Sequence, residues 1–107
     1  MTTFDKREEG FEQKFAHDEA LRFKAIARRN KMLGLWAADK LGLTGAAAES
    51  YAKEVVESDF EEPGDHDVFR KVRKDFDAKG VAAADTEIRQ VMNELLAKAA
   101  AQIQAGK

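Results

Sequence analysis

The side chains that could support catalysis in this chain are few: two histidines, no cysteine and a handful of hydroxyls among 107 residues. His17 and His66 stand far apart, and neither sits in an HxxxH or HxxE spacing that would place two metal ligands on one helix face. Ser50 and Ser58 fall in a helical pattern with no histidine nearby to act as a base. Gly42-Leu43-Thr44-Gly45 lacks the lysine and the length of a phosphate-cradling loop. Asp65-His66-Asp67, close to Glu61 and Glu62, could bind a cation weakly. Carboxylates at that point also favour a helix N-terminus, and that is the role expected of them. The chain is therefore not expected to be an enzyme, and no catalytic residue, metal or cofactor is assigned.

Two basic clusters could meet phosphates: Arg22, Lys24, Arg28, Arg29 and Lys31, and then Arg70, Lys71, Arg73 and Lys74. Against that, 18 Lys and Arg face 20 Asp and Glu, for a formal net charge of -2. No global field draws such a chain to nucleic acid or to an anionic membrane. The expectation is that these cations balance Glu49, Glu54, Glu57 and Asp59. No apolar run approaches the roughly 18 residues of a membrane span, and no signal-peptide stretch is seen. A cytoplasmic chain is expected, monomeric when free, with no nucleic-acid partner and no membrane insertion. The absence of cysteine fits a reducing compartment.

Composition rich in Ala, Leu, Lys, Glu and Arg, with Pro63 the single proline, implies an all-α protein. Four helices are predicted. The first runs from about His17 to Leu41, with Phe23, Ile26, Ala27, Leu33, Ala37 and Leu41 on one apolar stripe. Ala25, Met32, Leu35 and Trp36 form its second covered face, and Trp36 is assigned to the core. The second starts at a Thr44 cap, buries Tyr51, Val55 and Val56, and stops near Phe60 or Glu61, before Pro63. The third is capped by Asp65, carries Val68, Phe69, Val72 and Phe76, and ends at Gly80. The fourth is capped by Asp85 or Thr86 and carries Ile88, Val91, Met92, Leu95, Leu96, Ala99 and Ile103. Short connections make neighbours antiparallel, so a compact four-helix bundle is predicted over residues 19–107.

Residues 1–18 are different. Phe4, Phe11 and Phe15 are the large apolar residues in a stretch dense with Asp5, Lys6, Arg7, Glu8, Glu9, Glu12, Lys14 and Asp18. At roughly 100° per residue the three rings share a sector of about 40° on a helix. Extended in register, that sector includes Arg22 and Arg29 and is rotated by roughly 80° from the main core stripe. Gly10 weakens the helix by about 1 kcal/mol relative to alanine. Burial of three rings does not offset the entropy of ordering such a segment alone, so it is predicted to be mobile and conditionally helical. Against a groove it would complete its helix from the nucleus that the first bundle helix provides. Phe4, Phe11 and Phe15 would be the anchors. Lys6, Arg7, Glu8, Glu12 and Lys14 would set register and partner choice by charge. The alternative is that the three phenylalanines dock back on the bundle.

The run FDKREEGFEQKFAHDEALRFKAIARRNKMLGLWAADKLGL, from Phe4 to Leu43, resembles the zeta subunit of alphaproteobacterial F-type ATP synthases. The likeness continues through EEPGDHDVFRKVRKDF and covers essentially the whole chain. The resemblance implies a four-helix domain with a mobile inhibitory N-terminus that blocks ATP hydrolysis at the catalytic head of the synthase, formed by its alpha, beta and gamma subunits. It also implies a chain peripheral to the inner membrane through that complex. The stretch Phe4-Asp5-Lys6-Arg7-Glu8 is similar to the inhibitory part of the mitochondrial ATPase inhibitor, whereas the bundle is not. A helical wedge between catalytic and noncatalytic subunits would stop the rotary cycle mechanically, with no catalytic residue. Imidazole as a group titrates in the range of a pH switch, but nothing in the sequence ties His17 to one. The alternatives are a helical interaction module for another partner and a small nucleotide-binding regulatory bundle.

Overall fold

The structure, a computed structural model, describes residues 19–60 and 65–106. Four helices follow in order: α1, Glu19–Lys40; α2, Gly45–Ser58; α3, His66–Lys79; and α4, Asp85–Gln104. The described residues contain no strand. The all-α four-helix prediction is borne out.

The helix ends follow local chemistry. Gly80 ends α3 in the left-handed region at φ 71°, and the Val81 N–H reaches back to the Phe76 carbonyl at 2.8 Å. That bond satisfies a carbonyl the helix leaves open, in a conformation a Cβ would disfavour. The same motif follows α1, where the Leu43 N–H reaches the Ala38 carbonyl at 2.8 Å. Thr44 and Asp65 hold the N-cap positions of α2 and α3, but neither side chain makes a capping hydrogen bond. The start of α4 differs from expectation: Ala84 is the N-cap and Asp85 the first helical residue. The Ile88 N–H already bonds the Ala84 carbonyl at 3.1 Å, so Asp85 and Glu87 lie in the first turn, where the dipole favours them.

Helices consecutive in the chain run antiparallel, as do α1 and α4. Tyr51 meets Asp75 and Glu54 meets Lys71 between α2 and α3. Arg89 meets Asp65 near the start of α3, while Arg73, further along it, meets Asp85 at the start of α4. Arg28 meets Gln102 and Lys40 meets Glu87 between α1 and α4. Helix α1 is the central element and packs mainly on α2 and α4. The core joins Leu33, Ala37 and Ala38 to Tyr51, Val55, Val68, Val72, Phe76, Ile88 and Met92. Trp36 packs against it, 5.7 Å from the Phe76 ring, as expected.

The α1 stripe departs from its prediction at the N-terminal end. Phe23 is 68% exposed and Ala27 is exposed, whereas Arg29 and Asn30 are buried. The reason is the shorter reach of α2. At 1.5 Å per residue α1 is about 33 Å long and α2 about 21 Å. A Cβ placed on Gly34 of α1 would lie 2.5 Å from the Ala52 Cα of α2, so the two helices cross in contact there. Ala52 is six residues from the end of α2. Counted from the crossing, α2 therefore stops opposite about residue 28 of α1, and the first two turns of α1 project past it.

Gly34→Ala should lose about 1–2 kcal/mol of stability in urea denaturation followed by circular dichroism, because overpacking against backbone outweighs alanine's better helix propensity. An unchanged midpoint would mean that the crossing has slack.

Candidate functional site

The eight residues expected to bind a partner, Phe4, Lys6, Arg7, Glu8, Phe11, Glu12, Lys14 and Phe15, lie outside the described residues, as does His17. The described part of the site is the helix that carries them. Between Ala20 and Ala38, α1 has five cations and no acid. Arg22, Lys24 and Lys31 are exposed, Arg28 is half-buried, and Arg29 is 2% exposed.

Arg29 is the residue that the periodicity misplaced. Helical periodicity sets its sector apart from the core stripe, yet Arg29 is buried beside Asn30. The Arg29 Nε donates to the Asn30 Oδ1 at 2.7 Å, and its Nη1 lies 3.8 Å from the Asp65 Oδ2. Asn30 also hydrogen-bonds Asp59. Arg89 of α4 reaches the other oxygen of Asp65 at 3.2 Å and the His66 Nδ1 at 2.9 Å. Its guanidinium lies 4.3 Å from the Phe69 ring centroid. Two arginines from different helices thus hold the Asp65 carboxylate. That carboxylate is therefore an anchor for the α2–α3 connection rather than a side-chain helix cap. Asp67, 2% exposed, accepts from the Val68 N–H at 2.9 Å and supplies the helix-start role expected of this acidic triplet.

Burial lowers the Arg29 pKa, and the fields of Asp65 and Asp59 oppose that shift. The Asp59 carboxyl is held above its ordinary value, first by burial and then by Asp67. The hydrogen bond from Asn30 and the charge of Arg29 pull it the other way.

A second network ties α2 to α3. The Tyr51 hydroxyl donates to the Asp75 Oδ2 at 2.8 Å. Burial and that hydrogen bond push the phenol far above its usual range, so it stays a donor. The Lys71 Nζ sits 3.0 Å from both Glu54 and Asp75 and 5.2 Å from the Tyr51 ring centroid. Burial alone would lower its pKa, but the two carboxylates raise it. Arg73 binds Asp77 at 2.7 Å, Asp85 at 3.1 Å and the Ala83 carbonyl, and so staples the α3–α4 turn. Of the two basic clusters, Arg29, Lys71 and Arg73 form ion pairs among the described residues, whereas Arg22, Lys24, Lys31 and Lys74 are exposed, so the clusters are taken up internally only in part. Their acids are mostly Asp65, Asp75, Asp77 and Asp85, however, with Glu54 alone of the α2 set making an ion pair to them among the described residues.

Among the described residues no group of three or more His, Asp or Glu is placed to hold a metal ion. No described helix is long and apolar enough to cross a membrane. An open, shallow groove between α3 and α4 is lined by Phe69, Thr86, Arg89 and Asn93 among others. Two of its walls, Phe69 and Arg89, already stack on each other.

These features define a small four-helix domain held by three internal ion-pair networks. The profile of the family ATPase inhibitor subunit zeta matches residues 1–102, and the chain belongs to that family. The family is one of inhibitor subunits, a regulatory role. A chain whose structure was solved by solution NMR is similar at 47% identity and a TM-score of 0.72, covering 81% of this chain and 99% of that one. Among curated proteins no match is found.

Arg29→Ala should cost about 2–3 kcal/mol, at the low end for a buried pair because Asp65 is half exposed to water. A loss of a few tenths in urea denaturation would make Arg29 a packing spacer only. The raised Asp59 pKa fixes a second sign. The folded chain keeps a proton that the unfolded chain releases near pH 3.8. The associated stability is full below that pH and is lost as pH rises through the raised value. Asp59→Asn should therefore melt higher than the parent at neutral pH, and the gap should close as pH falls below the ordinary carboxylate range. A gap that persists at low pH would assign the effect to something other than the carboxylate proton.

Proposed function

We propose that this chain inhibits ATP hydrolysis by the F-type ATP synthase through residues 1–18, carried by the four-helix domain of residues 19–107. On this reading the segment becomes helical in an interface of the catalytic head and blocks rotation as a wedge. Phe4, Phe11 and Phe15 enter apolar pockets, and Lys6, Arg7, Glu8, Glu12 and Lys14 pair with charges on the cleft walls. The partner is the head built from alpha, beta and gamma subunits. The chain is then cytoplasmic and peripheral to the inner membrane through that complex.

The observation that carries the reading is the family match, which starts at residue 1 and so includes the segment along with the bundle. Two physical features support it. Helix α1 is already formed at Glu19 and can extend into the preceding residues without a nucleation cost. Its free end also projects beyond α2, so an extension would meet no other described helix of the bundle. The sector shared by Phe4, Phe11, Phe15 and Arg29 is not set apart from the core, because Arg29 is inside. The wedge reading therefore rests on the family and on the projecting helix, not on register.

The test is steady-state ATP hydrolysis by a purified alphaproteobacterial F-type ATPase lacking this subunit. The full chain should inhibit. The chain without residues 1–18 should not inhibit, while its circular dichroism stays that of a folded bundle. Alanine at Phe4, Phe11 and Phe15 together should raise the half-inhibitory concentration by two orders of magnitude or more, at about 1–2 kcal/mol per ring. Added ATP should not relieve the block, since a wedge does not compete for the nucleotide. Equal inhibition with and without residues 1–18 would move the site onto the bundle.

A further inference from the structure

Helix α3 differs from the other three in what holds it. Helix α1 meets α2 at Gly34 and Ala52, so closely that no side chain stands between them and no charge takes part. Helix α1 packs mainly on α2 and α4, while α3 touches all three with less contact to each. Its inward row is Val68, Val72 and Phe76, all fully buried. Its other ties are ion pairs at the edge of the solvent. At the start, Arg29 of α1 and Arg89 of α4 hold Asp65, whose side chain is 47% exposed. In the middle, Lys71 holds Glu54 of α2, 57% exposed. At the end, Arg73 holds Asp85 of α4, 69% exposed. Each pair is open enough to water to be weakened by salt, whereas the Gly34–Ala52 contact is not. Departure of α3 would also relieve Arg29. That guanidinium is buried, and its partner at the α3 N-cap is 3.8 Å away. A pair at that distance returns little of the hydration that burial removes.

We infer that α3 is a salt-sensitive strap, which lifts as one unit from a body formed by α1, α2 and α4 and uncovers Trp36 and the core residues Leu33, Val55 and Ile88. Gly80, left-handed at φ 71°, is the pivot at its C-terminal end, since a glycine passes between backbone regions that a Cβ would close. The opening is a local one. Gly34 and Ala52 stay together, and α1 remains held by α2 and α4. What changes is the hold on the middle of α1: Asp65 leaves with α3, and Arg29 returns to water. The domain thus has a second state, in which one helix is released and the α1–α2 crossing is kept. The inference is independent of the partner proposed for residues 1–18.

The test is native-state hydrogen exchange on the full chain, read residue by residue by NMR at a single pH. The amides of Phe69 to Phe76 should show an opening constant about tenfold or more above that of Leu33 to Ala38 in α1. Their opening should also depend less on urea, because lifting one helix exposes less surface than unfolding the chain. Raising sodium chloride from about 10 mM to 1 M cuts the Debye length from about 30 Å to 3 Å, and should raise the α3 opening constant about tenfold while that of α1 does not rise. Lys71→Met keeps an apolar stem beside Tyr51 and removes the charge. It should raise α3 opening about fivefold at low salt, leave α1 unchanged and diminish the salt response. Trypsin gives an independent reading, because Arg70, Lys71, Arg73 and Lys74 in α3 and Arg28, Arg29 and Lys31 in α1 offer comparable cleavage sites. Of these, the α3 sites should be cut first. One common opening constant and urea dependence for α1, α3 and α4 would overturn the inference. So would an opening of α3 that salt leaves unchanged, or Val55 of α2 or Met92 of α4 opening more readily than Val72.

Discussion

The contact between Gly34 and Ala52 sets the geometry of this domain. With a hydrogen in place of a side chain at Gly34, α2 lies directly on the backbone of α1. Helices this close share a thin core, and alanines supply much of α1's part of it: Ala25, Ala37 and Ala38 are buried. The crossing also fixes where α2 runs out. Its last turn arrives beside Arg29 and Asn30, and there the chain must turn toward α3.

That turn explains the buried arginine. A connection of charged residues arriving at the middle of an apolar helix would leave carboxylates without partners. Arg29 and Asn30 face it from α1, and Arg89 faces it from α4. An ion pair of this kind contributes less to net stability than to uniqueness, because its desolvation consumes most of the Coulomb energy. Its effect is to specify one docking of α3. The Tyr51–Asp75–Lys71–Glu54 network performs the same task on the α2–α3 face, and Arg73 does so at the α3–α4 turn. Of the cations that composition alone offered to phosphates, Arg29, Lys71 and Arg73 are in this way committed to the fold.

The length mismatch between α1 and α2 divides one helix into a held part and a projecting part. Its second half is gripped by α2 and α4, and its first two turns project past α2 on one side. The projecting turns lead directly into the residues proposed above to bind a partner.

Much of this was legible in the amino-acid order. Helix number, the stops at Gly42 and Gly80, the N-cap positions of Thr44 and Asp65, and the buried positions Leu33, Tyr51, Val55, Val68, Val72, Phe76, Ile88 and Met92 all follow from 3.6-residue periodicity and local turn chemistry. These are properties of a segment and its immediate neighbours, so the sequence contains them in full. Phe23 and Arg29 are the instructive exceptions. Periodicity assigns each residue of α1 to a face, but it does not say how far along that face a partner helix extends. The Gly34–Ala52 crossing and the lengths of α1 and α2 together decided that Phe23 is bare. The return of the chain at Asp59 and Asp65 decided that a guanidinium belongs inside. Both outcomes depend on contacts between residues some twenty to forty apart in sequence, which only the tertiary structure brings together.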